Sequence, residues 1–176
     1  FTGCRNLRAV PFGRDLRRLG DGAFSGCLSL EEVTLPSCVE SVGSGVFSGC
    51  TELRSVVLEE GLTALGAGMF RGDIALSVPA FPESLRQLPA DCFRDCSAFQ
   101  ALHLPGSIRA VGSGAFRGCR RLTEVTAELG LTEIGAFAFS GCRDLSVVSL
   151  PHSLKKLGFG AFGLGFSRRK IRILAD

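Results

Sequence analysis

Short segments of alternating apolar and polar residues return at a constant interval along the chain. In residues 30–35, the apolar Val33 and Leu35 are separated by polar side chains. This alternation predicts a short β-strand with one buried face. A second, shorter apolar pair follows each strand, as at Val39 and Val42. The chain therefore contains many copies of one small unit, each predicted to hold a strand and a second apolar segment.

Phenylalanine marks the interval most clearly, since it stands at positions 1, 24, 47, 70, 93, 116, 139 and 162, always 23 residues apart. A Gly and then a Cys follow it in most units. A unit of this length cannot bury its own apolar side chains, whereas stacked units can. The pattern predicts a repeat solenoid of about eight 23-residue units with an internal Phe stack. Residues 43–47 and their equivalents predict a turn that leads into a single helical turn.

Units such as residues 115–125, and the run at 150–158, resemble the BspA-like leucine-rich repeats, also called the Treponema pallidum type. The resemblance covers essentially the whole chain. It departs from the commoner leucine-rich signature, because small residues such as Gly61 and Gly130 stand where that signature has Asn or Cys. The resemblance implies a right-handed leucine-rich-repeat superhelix with a parallel sheet on its concave face and short second strands opposite. It also implies a secreted or cell-surface protein with adhesin-like binding of partner proteins.

The amino-acid composition excludes some classes of protein. Apolar residues make up 45% of the 176 residues and charged residues 21%, with a net charge of +3, which excludes a disordered chain and argues against a nucleic-acid partner. No apolar run approaches the ~18 residues of a membrane span, and the first residues do not form a signal peptide. We expect a single domain over residues 1–176 that starts in mid-pattern, as a truncated chain would, and a divergent C-terminal capping unit at 162–176.

Eight cysteines allow structural, disulfide or metal interpretations. Six share one column, which lies at positions 4, 27, 50, 96, 119 and 142, and a column that faces the interior makes them small buried hydrophobes. Parallel side chains in successive units fail the geometry of a disulfide, and sulfurs spread along a line do not converge on a metal. Cys92 fills a small-residue position, and Cys38 in a turn is the thiol expected to be most reachable. We expect no metal and no cofactor.

The tripeptide Arg71-Gly72-Asp73 matches an integrin-recognition motif. Its glycine is a repeat-column residue, and the equivalent slot reads Arg117-Gly118-Cys119, which favours a chance match. Asp73 replaces the column cysteine, and a carboxylate there must be hydrogen-bonded or must turn outward. We therefore expect the backbone to be displaced locally around Asp73.

The outward positions of the strands form two columns on the concave face, the usual binding face of a solenoid. The middle of these columns is small and apolar, and we name it the apolar strip: Ser55, Val57, Val78, Ala80 and Ala101, with His103 at its rim. Pro79 and Pro82 make unit four irregular beside it. The strip predicts a shallow groove that accepts a hydrophobic segment of a partner. Alternatively, small residues there only relieve crowding on a curved inner face.

These patterns predict a non-catalytic module that binds a protein or peptide, a host surface or matrix protein being one candidate. An enzyme is not expected, because His103 faces away from the cysteine column. The alternative is a structural scaffold that self-assembles through its open ends. At the N-terminal end either upstream residues have been removed, or the open edge pairs with a second copy as a homodimer. Basic residues of the second strands and at 168–172 predict a polar cap or, alternatively, an anion site.

Overall fold

The computed structural model describes residues 1–163 and 171–174. Its strands, in chain order, are β1 (Arg18–Leu19), β2 (Glu32–Leu35), β3 (Ser41–Val42), β4 (Ser55–Leu58), β5 (Gln87–Leu88), β6 (Ala101–Leu104), β7 (Ala110–Val111), β8 (Glu124–Ala127), β9 (Glu133–Ile134), β10 (Val147–Pro151), β11 (Lys156–Leu157) and β12 (Ile171–Leu174). The even-numbered strands have four or five residues and the odd-numbered strands have two. In four repeats a long strand is followed by a short strand of the same repeat, as the resemblance implies: β2 and β3, β6 and β7, β8 and β9, and β10 and β11.

All strands pair in parallel with their equivalents one unit away. The long strands form the sheets β2–β4 and β12–β10–β8–β6, and the short strands form β1–β3 and β11–β9–β7–β5. The register is a shift of one repeat, so Glu32 lies beside Ser55 and Ala101 beside Glu124. The fold is a β-solenoid with repeats of about 23 residues and, counted by its six long strands, about six turns.

The count of six differs from the eight units expected from the sequence. When units are numbered from each repeat Phe, unit 1 has an isolated bridge between Ala9 and Glu32 in place of a long strand, and unit 4 has no long strand. In unit 4, Pro79 stands at an inward strand position where the units with long strands have Val, Leu or Ile and thus a backbone N–H, and proline has none. Ser77 N still donates to Arg54 O at 3.0 Å. The long-strand sheet is interrupted directly after that bond.

The repeat phenylalanines form one continuous stack inside the solenoid. Successive rings from Phe1 to Phe162 have centroids 5.3–5.8 Å apart and planes within 13° of parallel. This spacing is typical of offset-stacked aromatic rings, and burial of each ring contributes about 1.5–3 kcal/mol. The internal Phe stack predicted from the 23-residue interval is confirmed.

The predicted single helical turns are wrong, because no helix is present in residues 1–163 or 171–174. Alternate N–H groups of the Phe-containing turns bond instead to the next unit: Phe24 N donates to Val46 O and Gly26 N to Ser48 O, both at 2.8 Å, whereas Ser25 N between them donates to Gly22 O of its own turn. Gly26 also has a φ of 70°, outside the helical region. Hydrogen bonds between units therefore replace the i→i−4 bonds that a helix would need.

Candidate functional site

We call the outward surface of the long strands the long-strand face; it is the face expected to be concave. Strand β4 alternates exposed and buried residues, and β2 and β6 do the same. This alternation places Ser55, Val57, Ala101 and His103 in solvent. Val57 is 52% exposed, so an apolar side chain of this face lies open. The inward and outward positions of these strands agree with the sequence prediction.

Unit 4 departs from that prediction. Ala80 is exposed, but Val78 is only half exposed and packs against the core. Pro79 is buried between them. No backbone hydrogen bond joins residues 78–81 to another described residue. The centre of the apolar strip therefore has one partly buried side chain, Val78, and backbone groups without hydrogen-bond partners in the described part of the chain.

A depression of about 460 Å³ lies on the same face in units 1 to 3. Its lining includes Ser55 and Val57 together with Phe12, Arg14 and Glu59. Val78, Ala80, Ala101 and His103 do not line it. The apolar strip thus extends beyond this depression, and only two of its six residues line it.

At the rim of the strip, His103 is hydrogen-bonded to Thr126 on strand β8 and to Glu128 directly after that strand. Its Nδ1 lies 3.0 Å from Thr126 Oγ1 and its Nε2 lies 3.1 Å from Glu128 Oε1. Glu128 Oε2 also accepts a hydrogen bond from Gly106 N at 2.8 Å. Both hydrogen bonds lower the pKa of the Glu128 carboxyl, and the bond from Gly106 has the larger effect. Sequence reasoning missed this network, although Thr126 stands one repeat after His103. The contacts fix the imidazole in one orientation.

All eight cysteines are free thiols. In the buried part of the column each thiol donates to the carbonyl oxygen of the repeat Phe one unit earlier, as from Cys96 Sγ to Phe70 O at 3.1 Å and from Cys119 Sγ to Phe93 O at 3.2 Å. Burial raises the pKa of the Cys50 and Cys142 thiols to about 12. These thiols act as neutral structural groups. Within the part of the chain that the structure describes, no three His, Cys, Asp or Glu side chains could hold a metal ion.

Alkylation with iodoacetamide is expected to reach Cys4 first. Cys4 is exposed, whereas Cys38, expected to be the most reachable thiol, is only half exposed, and the other six are buried. Reactivity requires an accessible thiolate. Mass spectrometry at pH 8 should therefore show rapid modification of Cys4, slower modification of Cys38 and none of the rest until denaturant is added. Rapid modification of Cys96 or Cys119 in the native protein would contradict the buried column.

The carboxyl group of Asp73 points inward. The residue is fully buried, and Oδ1 accepts a hydrogen bond from Cys50 N at 2.8 Å, while Oδ2 has no partner in the described part of the chain. The expected backbone displacement is wrong: Gly72 N donates to Arg94 O at 2.8 Å, the same length as the bond from Gly49 N to Arg71 O one unit earlier. The Arg71-Gly72-Asp73 tripeptide therefore offers no acidic group to a receptor.

The basic residues on the short strands are partly neutralised. Lys156 Nζ lies 2.7 Å from Glu133 Oε1, and Arg17 Nε lies 3.8 Å from Glu40 Oε1. The rest of the predicted basic cap, at 168–170, lies outside the described residues. The short-strand face is therefore a weaker candidate for a charged site than the basic residue count indicates.

Similarity to known proteins agrees with this architecture. The profile of the BspA type Leucine rich repeat region matches residues 1–100 and 86–174 with six copies. No curated protein matches the sequence. None of the described residues forms a helix long and apolar enough to cross a membrane.

Solved structures with the same fold come from several bacteria. A leucine-rich repeat protein of Treponema pallidum, TpLRR, is 33% identical, with 87% of this chain and 74% of that chain covered and a TM-score of 0.76. One from Bacteroides ovatus is 25% identical over 99% of this chain and 50% of that chain, with a TM-score of 0.74. One from Eubacterium ventriosum is 18% identical over 89% and 63%, with a TM-score of 0.69, and shares the fold alone. The chain thus spans half to three quarters of the length of these proteins.

Two further solved structures carry descriptions of location or use. One is a leucine rich cell surface protein of Faecalibacterium prausnitzii, 20% identical over 89% of this chain and 63% of that chain, with a TM-score of 0.38. The other is the pneumococcal vaccine antigen PcpA, 18% identical over 81% and 49%, with a TM-score of 0.50. The repeat profile over nearly all of the chain and the likeness to TpLRR settle the family. The chain belongs to the BspA-type leucine-rich repeat family.

Proposed function

We propose that this protein is a non-catalytic module that binds an extended segment of a protein or peptide on the apolar strip. The observation that carries the proposal is the 52% exposure of Val57 on a face where Ala80 and Ala101 are also exposed, in a protein whose other long-strand apolar residues are mostly buried. Contiguous exposed apolar surface is typical of interaction sites. The unpaired backbone groups of residues 78–81 add hydrogen-bonding capacity to the middle of the strip.

A catalytic role is less well supported. A hydroxyl, an imidazole and a carboxylate are hydrogen-bonded in the order of a hydrolytic triad in Thr126, His103 and Glu128. The side chains of His103 and Glu128 are, however, 60% and 56% exposed. Hydrolytic triads work in water-excluded sites that also supply oxyanion donors. We assign the network to holding His103 at the rim, where it can contact the bound segment.

Replacing Val57 with glutamate is expected to weaken peptide binding about tenfold or more, since a charge replaces an apolar contact at the centre of the interface. Ile74→Glu is a matched control, because Ile74 is equally exposed at 52% but lies on a Phe-containing turn and not on the long-strand face. A random peptide library displayed on phage is selected on the parent chain, and enriched peptides are titrated against both variants. Equal binding by the Val57→Glu variant and the parent would remove the strip as the site.

We also propose a location and consider the assembly state of this protein. Membership of the BspA-type family, whose profile covers nearly the whole chain, supports a secreted or cell-surface location for this protein. The alternative is self-assembly, either as a scaffold or as a homodimer through the N-terminal end. Sedimentation velocity at increasing protein concentration tests it, and a constant monomer mass would dismiss the dimer.

A further inference from the structure

Charge on the long-strand face is distributed unevenly. At the two outward positions of each long segment and at the position directly after its last inward residue, units 1 to 7 carry no lysine or arginine and four glutamates. We call these four the acidic corners: Glu32, Glu59, Glu124 and Glu128. All four are exposed. The whole chain has a net charge of +3, so this acidic character is local.

The acidic corners enclose the apolar strip from both ends. Glu32 and Glu124 occupy the same column, with Ser55, Val78 and Ala101 between them. Glu59 and Glu128 occupy the column at the carboxyl ends of the long strands, with Pro82 and Pro105 between them. Two glutamates therefore lie on the side of units 2 and 3 and two on unit 6.

The corners differ in how firmly they are held. Glu59 Oε2 accepts a hydrogen bond from Ser37 N at 3.0 Å, and Glu128 is bonded to Gly106 N and His103. The carboxylates of Glu32 and Glu124 have no hydrogen bond or ion pair to any residue that the structure describes. These two acidic groups are free to pair with a ligand.

The basic residues nearest the strip lie at its edges, where Arg8 and Arg54 line a shallow depression together with Glu32 and Ser55. Arg14 lines the depression of about 460 Å³ on the side of unit 1, and Arg172 is exposed on unit 8. Arg54 lies in the column next to Glu32, but its guanidinium pairs with Glu52 at 3.1 Å. The strip between the corners thus presents apolar side chains with negative charge at both ends.

We infer that the strip accepts an extended peptide segment whose apolar centre is flanked on both sides by lysine or arginine. This inference rests on the proposed binding function and adds the chemistry of the partner. Glu32 and Glu124 are four units apart, or about 19 Å at the ~4.8 Å spacing of paired strands, which an extended chain crosses in about six residues at ~3.3 Å each. A chain that runs along the solenoid axis would place alternate side chains on the strip and its basic ends at the corners.

Three synthetic peptides test the inference. Each has a central segment of about six alternating valine and threonine residues, and they differ only in the flanking pairs, which are lysine, glutamine or glutamate. Fluorescence anisotropy at low salt is expected to give about tenfold tighter binding for the lysine peptide than for the glutamine peptide, and the weakest binding for the glutamate peptide. The difference should shrink at about 0.5 M salt.

Two double variants locate the charge effect. Glu32→Gln with Glu124→Gln is expected to abolish most of the preference for lysine over glutamate flanks. Glu40→Gln with Glu133→Gln removes the same charge from the short-strand side and should leave the preference unchanged. Equal affinities for the three peptides on the parent, all lost in Val57→Glu, would overturn this inference while the proposed function stands. Binding by none of them, or binding that Val57→Glu does not weaken, would overturn both.

Discussion

Replacing Asp73 with cysteine is expected to stabilise the protein by an amount that grows with pH, reaching about 5 kcal/mol near pH 8. Cysteine is the residue that most other units carry in this column, so the variant restores the repeat. Burial raises the pKa of the Asp73 carboxyl from 3.8 to about 8, against the lowering effect of the hydrogen bond from Cys50 N. The folded protein therefore holds this group in its neutral form.

The sign of the pH dependence follows from that direction. Below pH 3.8 the carboxyl is protonated in the folded and unfolded chains alike, so its titration costs nothing. Between about pH 4 and pH 8 the unfolded chain releases the proton and the folded chain keeps it. Stability relative to a variant that does not titrate therefore falls by about 1.4 kcal/mol per pH unit over that range and levels off above it.

Urea unfolding at several pH values between 4 and 9, followed by far-ultraviolet circular dichroism, measures this difference, since the chain has no Trp or Tyr for fluorescence. Asp73→Asn keeps the shape of the side chain and should show the same pH trend as the cysteine variant. Asp144→Asn is the control, because Asp144 is exposed, and it should track the parent. A parent and a cysteine variant whose stabilities change in parallel with pH would show that the Asp73 carboxyl is not buried.

The repeat made much of this fold predictable. One inward column implies every inward column, because all units share a register, and the Phe stack and the exposed Val57 both follow from that periodicity. Unit 4 does not follow this pattern of inward and outward columns. The prolines of unit 4 can be read from the sequence. The partial burial of Val78 cannot, because it depends on the backbone conformation that residues 78–81 adopt where the sheet is interrupted.

Errors arose where a local pattern competes with contacts between units. The turn near Gly26 has a sequence that suits a helical turn, yet its N–H groups bond to the neighbouring unit. Asp73 was expected to disturb the backbone, but the N–H of Cys50 satisfies one of its oxygens. The hydrogen bonds of His103 also depend on side-chain reach across strands, which spacing alone does not give.

Replacing Gly135 with alanine is expected to destabilise the protein by about 3 kcal/mol. Gly135 follows the short strand β9, at a position where glycine recurs in most units. A Cβ added there would lie 2.5 Å from Ser113 N and 2.7 Å from Gly112 C, both of which are backbone atoms of the preceding unit. Backbone atoms cannot move aside as a flexible side chain can, so the units must separate and the bond from Gly135 N to Val111 O at 2.7 Å must lengthen.

Gly20→Ala provides the matched control for this effect. Gly20 occupies the same column in unit 1, and a Cβ added there meets nothing within 4 Å. The substitution should be neutral or slightly stabilising, because alanine lowers the entropy of the unfolded chain. Urea unfolding of both variants at one pH separates contact between units from the general cost of replacing glycine. Equal urea midpoints for Gly135→Ala and Gly20→Ala would show that the spacing between units can adjust to an added methyl group. The close stacking of units, which fixes the columns of the long-strand face, would then be wrong.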